Sequence, residues 1–183
     1  MKIISVFGSS APKPGTEAYE NAREVGRLLA EAGFTVATGG YNGTMAGVSQ
    51  GAAEAGGHVI GVTADKIESF RPIKHNQWVT EEIRFVTLHD RLMYLVEKND
   101  GIITLPGSVG TLAEMTMAWG LMQVEEMDKR PFSLLGSLWR DTIKTYADSP
   151  YMRPEDFGML HFADTPAQAV AHMEQGSRGE GER

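Results

Sequence analysis

GIITLPGSVGTLAEM, residues 101–115, contains the change from strand to helix on which the prediction of the fold depends. Its first five residues are mostly apolar, as in a short buried strand. Residues 106–110 contain a proline and two glycines, which interrupt regular structure. From Thr111 onwards the apolar residues recur at helical spacing, and we predict a helix over 111–126. The segment is therefore typical of a strand, a glycine-rich loop and a helix.

The same alternation extends along the chain on both sides of this segment. Short apolar runs predict strands at 2–7, 34–38, 58–63, 101–105 and 132–136. Helical periodicity predicts helices at 16–32, 44–55, 111–126, 137–147 and 166–174, with 81–98 helical in part. Strands that alternate with helices in this way form a parallel sheet covered on both faces. We therefore predict an α/β fold, a Rossmann-like doubly wound parallel sheet.

The domain prediction follows from the same pattern. We expect one Rossmann-like domain over residues 1–175, because no linker or internal repeat divides this part of the chain. Residues 176–183 are polar and glycine-rich, and we expect them to form a disordered tail.

The composition excludes several classes of protein. Lys and Arg number 17 against 24 Asp and Glu, and the net charge of −7 argues against nucleic acid or anionic membranes as partners. There is no cysteine, so disulfides and thiol catalysis are excluded, and the histidines lack ligand spacing, so no metal is predicted. The apolar run at the N-terminus is too short for a signal peptide or a membrane span. We expect a soluble cytoplasmic protein.

Sheets of this type bind ligands beyond the carboxyl ends of their strands, and three glycine-containing loops are predicted there. The first, GSSAPKPG at 8–15, lacks the G-x-G-x-x-G fingerprint, so NAD binding is not expected and no cofactor is predicted. Ser9 and Ser10 could donate to a phosphate, although serines in this position are also common turn residues.

The second loop, TGGYNGT at 38–44, supports two interpretations equally. Gly39 and Gly40 could form a tight turn before a helix capped by Asn42 or Thr44. They could instead supply a floor of backbone amides for an anion or a ribose.

The third loop, LPGSVGT at 105–111, is also open to two interpretations. Thr111 and Glu114 fit a capping box, in which the glutamate returns to the amide of the first residue. A capping box does not account for Gly107 and Gly110. A phosphate at this helix N-terminus would gain several amide hydrogen bonds and the helix dipole.

Other features favour structural roles. GVSQG at 47–51 matches a nucleophile elbow, but Ser49 is predicted inside a helix, and the glycines favour close packing on the sheet or on a partner. Arg91 and His89 are expected at the surface of a helix whose other face is apolar. The methionines at 115, 117, 122 and 127 and Trp119 are expected in the core or in an interface.

In combination, these motifs resemble the Lonely Guy (LOG) family of phosphoribohydrolases, whose relatives are often labelled lysine decarboxylase-like. The family signature P-G-G-x-G-T-x-x-E is similar to PGSVGTLAE at 106–114, and the family arginine in M-H-x-R-K corresponds to Arg91. The family segment G-G-G-x-x-G-x-M-G corresponds to TGGYNGTMAG at 38–47, and a first strand ending in G-S-S corresponds to VFGSS at 6–10. The resemblance covers roughly residues 1–147.

Two positions depart from the family pattern. Ser108 stands in place of a glycine and adds a hydroxyl, and Leu92 stands in place of a lysine and removes a cation. No lysine is singled out for a Schiff base with pyridoxal phosphate, so a lysine decarboxylase is not expected.

The resemblance implies hydrolysis of the N-glycosidic bond of a nucleoside 5′-monophosphate, AMP or N6-modified AMP, to a free base and ribose 5-phosphate. Glu114 would stabilise the oxocarbenium centre at C1′ or activate water. Arg91 would hold a ribose hydroxyl or the phosphate and orient Glu114. The residues implied in phosphate and nucleotide binding are Gly107, Ser108, Gly110, Thr111, Gly39, Gly40, Ser9 and Ser10.

The alternative is a non-catalytic protein that binds or carries a nucleotide or molybdenum cofactor. We also expect a homodimer, because the Met- and Trp-bearing helix at 111–126 offers more apolar surface than one sheet face needs. The resemblance further implies that Arg84 or Arg91 acts across the dimer interface.

Overall fold

The computed structural model describes residues 1–179, and within that range seven strands form one parallel sheet. The strands are β1 (Ile3–Phe7), β2 (Thr35–Thr38), β3 (Val59–Ala64), β4 (Glu81–Phe85), β5 (Gly101–Thr104), β6 (Phe132–Leu135) and β7 (His161–Ala163). Their order across the sheet is β4-β3-β2-β1-β5-β6-β7, and each neighbouring pair is parallel. The predicted Rossmann-like α/β fold is confirmed.

Helices cover both faces of this sheet. They are α1 (Glu17–Glu31), α2 (Thr44–Glu54), α3 (Asp65–Phe70), α4 (Leu88–Glu97), α5 (Val109–Gln123), α6 (Ser137–Ala147), α7 (Pro154–Phe157) and α8 (Pro166–Gly179). One apolar cluster joins α1, α2 and α8 to one face, and a second joins α4, α5 and α6 to the other. Because side chains alternate along a strand, Val6 lies in the first cluster and Phe7 in the second.

The sheet changes direction between β1 and β5. From β1 the chain proceeds outward through β2, β3 and β4, and it then returns to place β5 on the opposite side of β1. The loops after β1 and β5 therefore diverge, and a crevice forms between them at the carboxyl edge of the sheet. This reversal point positions the candidate site.

Several elements differ from the sequence-based prediction. Residues 81–98 are helical in part, as expected, because α4 lies in their second half, but their first residues form β4, which was not predicted. β4, with sequence EEIRF, is an edge strand that carries charged residues, and it therefore lacks the apolar run that identifies an interior strand. β7 is only three residues long, and α3 lies in a stretch that was expected to be irregular.

The C-terminal boundary also differs. Helix α8 continues to Gly179, so residues 176–179 are helical and not part of a disordered tail. The remainder of the expected tail, 180–183, lies outside the described residues.

The glycines of GVSQG serve helix packing. A Cβ at Gly47 would lie 2.8 Å from the carbonyl oxygen of Tyr19, and one at Gly51 would overlap the carbonyl oxygen of Arg23. Both carbonyls belong to α1, so the glycines bring α2 against α1 and not against the sheet or a partner. Ser49 is buried within α2 and donates to the carbonyl of Met45 at 2.9 Å, which excludes a nucleophile elbow.

Candidate active site

A cavity of about 580 Å³ opens at the carboxyl edge of the sheet, beside the reversal point. Residues that follow each of the strands β1 to β5 line it. A cavity of this volume lies within the range of small-molecule sites. The position is the one that the fold predicts for a ligand.

Arg91, on α4, is buried in the wall of this cavity and is 5% exposed. Its Nε donates to the carbonyl of Val62 at 2.7 Å, and its Nη2 donates to the carbonyl of Gly39 at 3.2 Å. The guanidinium also lies 5.8 Å from the ring centre of Tyr41. The expectation of a solvated surface arginine is therefore wrong. His89, by contrast, is exposed as expected, with its side chain 81% accessible.

Glu114, on α5, is the acidic partner of this arginine. Arg91 Nη1 donates to Glu114 Oε1 at 3.4 Å, and both side chains are buried. Burial removes water from the carboxyl and raises its pKa to about 7, although Arg91 acts in the opposite direction. A carboxyl group with this pKa exchanges its proton near neutral pH, as a general acid or base requires.

The capping-box interpretation of Glu114 is wrong. Helix α5 begins at Val109 with Ser108 as its N-cap, and the side chain of Ser108 makes no capping hydrogen bond. Thr111 consequently lies in the first turn, and Glu114 lies beyond that turn and faces Arg91. Helix capping thus leaves the buried glutamate unexplained.

The start of α5 forms another wall of the cavity. Ser108, Gly110 and Thr111 line it, and the amides of the first helical turn have no acceptor within the helix. A Cβ at Gly107 would lie 2.7 Å or less from side-chain carbons of Thr111, so only glycine lets the loop pass this close. The loop and turn together have the geometry of an anion site at a helix N-terminus.

The loops after β1 and β2 have a supporting role. The carbonyl of Gly39 accepts from Arg91, while the amide of Gly40 donates to Thr38 Oγ1 at 3.1 Å. The carbonyl of Ser9 accepts from the amide of Thr44 at 2.8 Å. Gly39, Gly40 and Ser9 do not line the cavity. The amide-floor interpretation is wrong for Gly40, because its amide already has a partner.

Of the two serines after β1, only Ser10 reaches the cavity. The expected cap of α2 is also absent: Gly43 is the N-cap, without a side-chain capping bond, and the Thr44 hydroxyl donates to the carbonyl of Ser9 at 3.1 Å. The hydroxyl therefore ties α2 to the loop after β1, next to the cavity.

Sequence reasoning did not identify three further contributors to the site. The Tyr41 hydroxyl accepts from the amide of Ala64 at 3.0 Å, which joins the loop after β2 to the end of β3. Asn76 is buried and donates to the carbonyls of Gly40 and Tyr41, each at 3.0 Å. Helix α3 forms a third wall of the cavity. The sequence offered one signal for these contributors, namely that the aromatic Tyr41 directly follows Gly39 and Gly40.

The two departures from the family pattern occupy different environments. Leu92 is partly buried and packs against the apolar cluster of the α4 and α5 face. Ser108 is exposed at the start of α5 and lines the cavity. The leucine thus contributes to packing, and the serine is placed to contact a ligand.

Arg84 has carboxylate partners within its own chain. Its guanidinium contacts Asp65 at 2.7 Å and Glu68 at 2.8 Å. Arg91 likewise contacts Glu114 of its own chain, so this pair forms without a partner subunit. Among residues 1–179, no three His, Asp or Glu side chains are grouped so that they could hold a metal ion.

The fold and the site define a class of protein: a Rossmann-like α/β protein with a cavity of small-molecule size and a helix N-terminus in its wall at the reversal point. A family model described as "Possible lysine decarboxylase" matches residues 45–173. Several curated relatives that match the chain are named cytokinin riboside 5′-monophosphate phosphoribohydrolases, the enzymes of the LOG type. The chain belongs to this family, the Lonely Guy (LOG) family.

The similarity to individual proteins is moderate. A cytokinin riboside 5′-monophosphate phosphoribohydrolase of Rhodococcoides fascians is 31% identical over 114 residues, which is 62% of this chain and 57% of that protein. A probable enzyme of the same name from Oryza sativa subsp. japonica is 29% identical over 181 residues, covering 94% of this chain and 71% of that protein. The match to the first relative thus spans less than two thirds of its length.

A solved structure is similar over nearly the whole chain. It is the molybdenum cofactor binding protein of the phototrophic bacterium Rippkaea orientalis, with a TM-score of 0.72 and 26% identity. The alignment covers 95% of this chain and 96% of that one.

Proposed function

We propose that this protein hydrolyses the N-glycosidic bond of a nucleoside 5′-monophosphate, AMP or N6-modified AMP, releasing the free base and ribose 5-phosphate. The observation that carries the proposal is the buried pair of Arg91 and Glu114, 3.4 Å apart, in a cavity that also contains the first turn of α5. The names of the curated relatives support the same reaction.

The site residues divide the reaction between them. The amides and hydroxyls of Ser108, Gly110 and Thr111 bind the 5′-phosphate at the positive end of α5. With the phosphate held there, C1′ of the ribose lies against Glu114. The ionised carboxylate stabilises the positive charge that develops at C1′ as the bond to the base breaks, or it removes a proton from the attacking water.

Arg91 orients the carboxylate and contacts the ribose. Three of its N–H groups donate to Val62, Gly39 and Glu114, and an arginine has five such groups. The remaining two donors are available for a ribose hydroxyl. Because two of the three acceptors are main-chain carbonyls, the guanidinium has one fixed orientation.

The decarboxylase chemistry named by the family model is not part of the proposal. A lysine that forms a Schiff base is activated by desolvation or by another cation close by. Lys66 lines the cavity, but it is exposed. The reaction that we propose needs no cofactor.

The test is incubation with AMP and with N6-substituted AMP, followed by chromatography for free base and ribose 5-phosphate. Adenosine serves as the control, because it lacks the group that the start of α5 would bind. Release of base from the monophosphates and not from adenosine is the expected result. No release from any monophosphate in a broad panel would contradict the proposal.

A second candidate function is binding without catalysis. The similarity to a molybdenum cofactor binding protein over 95% of the chain favours this candidate, because a pterin phosphate could occupy the same helix N-terminus. A pterin or nucleotide that is retained through purification, without release of base, would support it.

We also propose that the chain forms a homodimer through α5. This helix has a single charged residue, and a helix that is apolar on all sides is normally buried. Val109, Leu112 and Met117 are nevertheless exposed on it, and Val124 is exposed at its C-cap. A groove of about 470 Å³ lies along the same helix, beside α6. A second copy would cover these residues in a self-complementary interface.

No helix among the described residues is long and apolar enough to cross a membrane. A cytoplasmic location remains a prediction.

A further inference from the structure

Helix α3 separates its charges between two faces. Asp65 and Glu68 contact Arg84 on β4, so the acidic face is neutralised and anchored to the edge of the sheet. The opposite face carries Lys66, Ile67, Phe70 and, at the end of the helix, Arg71, and these four residues line the cavity. The wall that α3 presents to a ligand is therefore apolar and cationic.

The two cations of this wall have no carboxylate partner. Within the part of the chain that the structure describes, no Asp or Glu oxygen lies within 4.0 Å of the side-chain nitrogens of Lys66 or Arg71. Arg71 instead lies over the exposed ring of Phe70, at 5.8 Å from its centre. Other arginines are paired with carboxylates, namely Arg23, Arg27, Arg84, Arg91, Arg140 and Arg153. Arg71 differs from these arginines, because it lines the cavity without a carboxylate partner.

These cations and the start of α5 belong to elements that leave the sheet at different strands. Helix α3 begins directly after β3, whereas α5 follows β5, and β2 and β1 lie between these two strands. Three strand spacings correspond to about 14 Å. The guanidinium of Arg91 lies between these two elements, because it is bonded to carbonyls at β3 and after β2.

We propose that Lys66 and Arg71 form a second anion site, and that the substrate is a nucleoside 5′-monophosphate whose base carries an acidic substituent. This inference rests on the proposed function, which places the phosphate at α5 and C1′ beside Glu114. The base then extends towards α3, where Ile67 and Phe70 contact its ring and the two cations contact its acidic group. The free-energy cost of removing the ligand's second charge from water is offset because the two cations form hydrogen bonds with it.

A second charge on the phosphate end of the ligand would not reach this wall. A diphosphate extends from the 5′-oxygen, and that end of the nucleotide lies at the start of α5. The ribose hydroxyls lie towards Arg91 in the proposed function, so the part of the ligand that reaches this wall is the base, and the acidic group belongs to it.

The test compares two substrates of equal size. N6-(2-carboxyethyl)-AMP carries a carboxylate on its base, and N6-(2-carbamoylethyl)-AMP carries the neutral amide in the same position. We expect the carboxylate compound to have a KM at least about tenfold lower, the scale of hydrogen bonds to charged groups. In the double variant Lys66→Gln, Arg71→Gln this difference should disappear, while KM for the amide changes little.

Lys74→Gln is the matched control. Lys74 is on the same segment and has the same charge, but it lines a different, smaller cavity with Glu68 and Arg84. This variant should retain the preference for the carboxylate. ADP is the third probe, and its KM should not change in the double variant.

Binding measured in Glu114→Gln separates this inference from the proposed function. Suppose that the natural chain hydrolyses no nucleotide, but that Glu114→Gln binds the carboxylate compound more tightly than the amide. The second anion site then stands, and the proposed reaction is contradicted. Equal binding of the two compounds, or a selective loss of ADP binding in the double variant, would overturn the assignment of Lys66 and Arg71.

Discussion

Arg91 on α4 and Glu114 on α5 form a buried ion pair at 3.4 Å, although 22 residues and a strand separate them in sequence. The pair joins two helices at the carboxyl edge of the sheet. The carboxylate therefore sits beside a fixed cation and is removed from water, and both conditions determine its chemistry.

Glu114→Gln separates catalysis from structure. Glutamine keeps the size of the side chain and can still accept from Arg91, but it carries no charge. We expect the rate of base release to fall by at least about 10²-fold, the scale of losing an acid–base group, while the melting temperature is not lowered. Glu97→Gln is the control, because Glu97 is an exposed residue at the end of α4. Full activity in Glu114→Gln would exclude a catalytic role.

The stability of the protein should depend on pH through Glu114. Its pKa rises from 4.5 in the unfolded chain to about 7 in the folded protein, so the folded state binds the proton more tightly. The contribution of this group to stability is present below pH 4.5 and is lost as the pH rises through 7. The loss amounts to about 3 kcal/mol.

Glu114→Gln should abolish this dependence, because glutamine does not titrate. Urea denaturation at pH 5 and pH 8 measures the effect. The variant should gain free energy of unfolding relative to the natural chain at pH 8 and gain little at pH 5. If the free energy of unfolding of the variant differs from that of the natural chain by the same amount at both pH values, Glu114 is ionised throughout this range.

Arg91→Ala should shift the pH dependence of catalysis. Arg91 lowers the pKa of Glu114, so its removal raises that pKa above 7. If the ionised carboxylate is required, the rising limb of kcat/KM should move to higher pH. The variant should also lose stability, because the carbonyls of Val62 and Gly39 and the carboxyl of Glu114 lose their buried donor. If the rising limb of kcat/KM stays at pH 7 in this variant, the ionisation that produces it belongs to a group other than Glu114.

The glycines of the loop before α5 should respond differently to alanine. A Cβ at Gly107 would overlap Thr111, whereas a Cβ at Gly110 meets open space. We expect Gly107→Ala to lower the melting temperature and raise KM for AMP, because the loop must move. Gly110→Ala should keep or raise the melting temperature, since alanine favours the helix. Equal effects of the two substitutions on melting would contradict this geometry.

Met117→Asp tests the proposed dimer. Met117 is 42% exposed on α5, so an aspartate there is tolerated in a single chain but would be buried without a partner in a dimer. The measured mass in solution should fall from dimer to monomer. Val86→Asp is the control, since Val86 is also exposed but lies away from α5. A natural chain that is already monomeric at micromolar concentration would refute the proposal.

The sequence predicted the parts of the fold that have regular apolar patterns. The interior strands β1, β2, β3, β5 and β6 and the helices α1, α2, α5, α6 and α8 were predicted because each buries an apolar run or stripe. β4 was missed because an edge strand with charged residues lacks such a run. A local pattern also cannot distinguish a solvated arginine from a buried one. The burial of Arg91 depends on Val62, Gly39 and Glu114, which the fold brings together from distant positions.

The way in which Arg91 is held affects how freely the surrounding sequence can diverge. Two of its three acceptors, at Val62 and Gly39, are main-chain carbonyls, and every amino acid supplies a carbonyl. Replacement of the side chain at position 62 would leave that hydrogen bond in place. Position 39 is different, because a Cβ there would overlap the guanidinium. Drift in the sequence can therefore change most of the wall around the arginine without moving it, provided that residue 39 stays glycine.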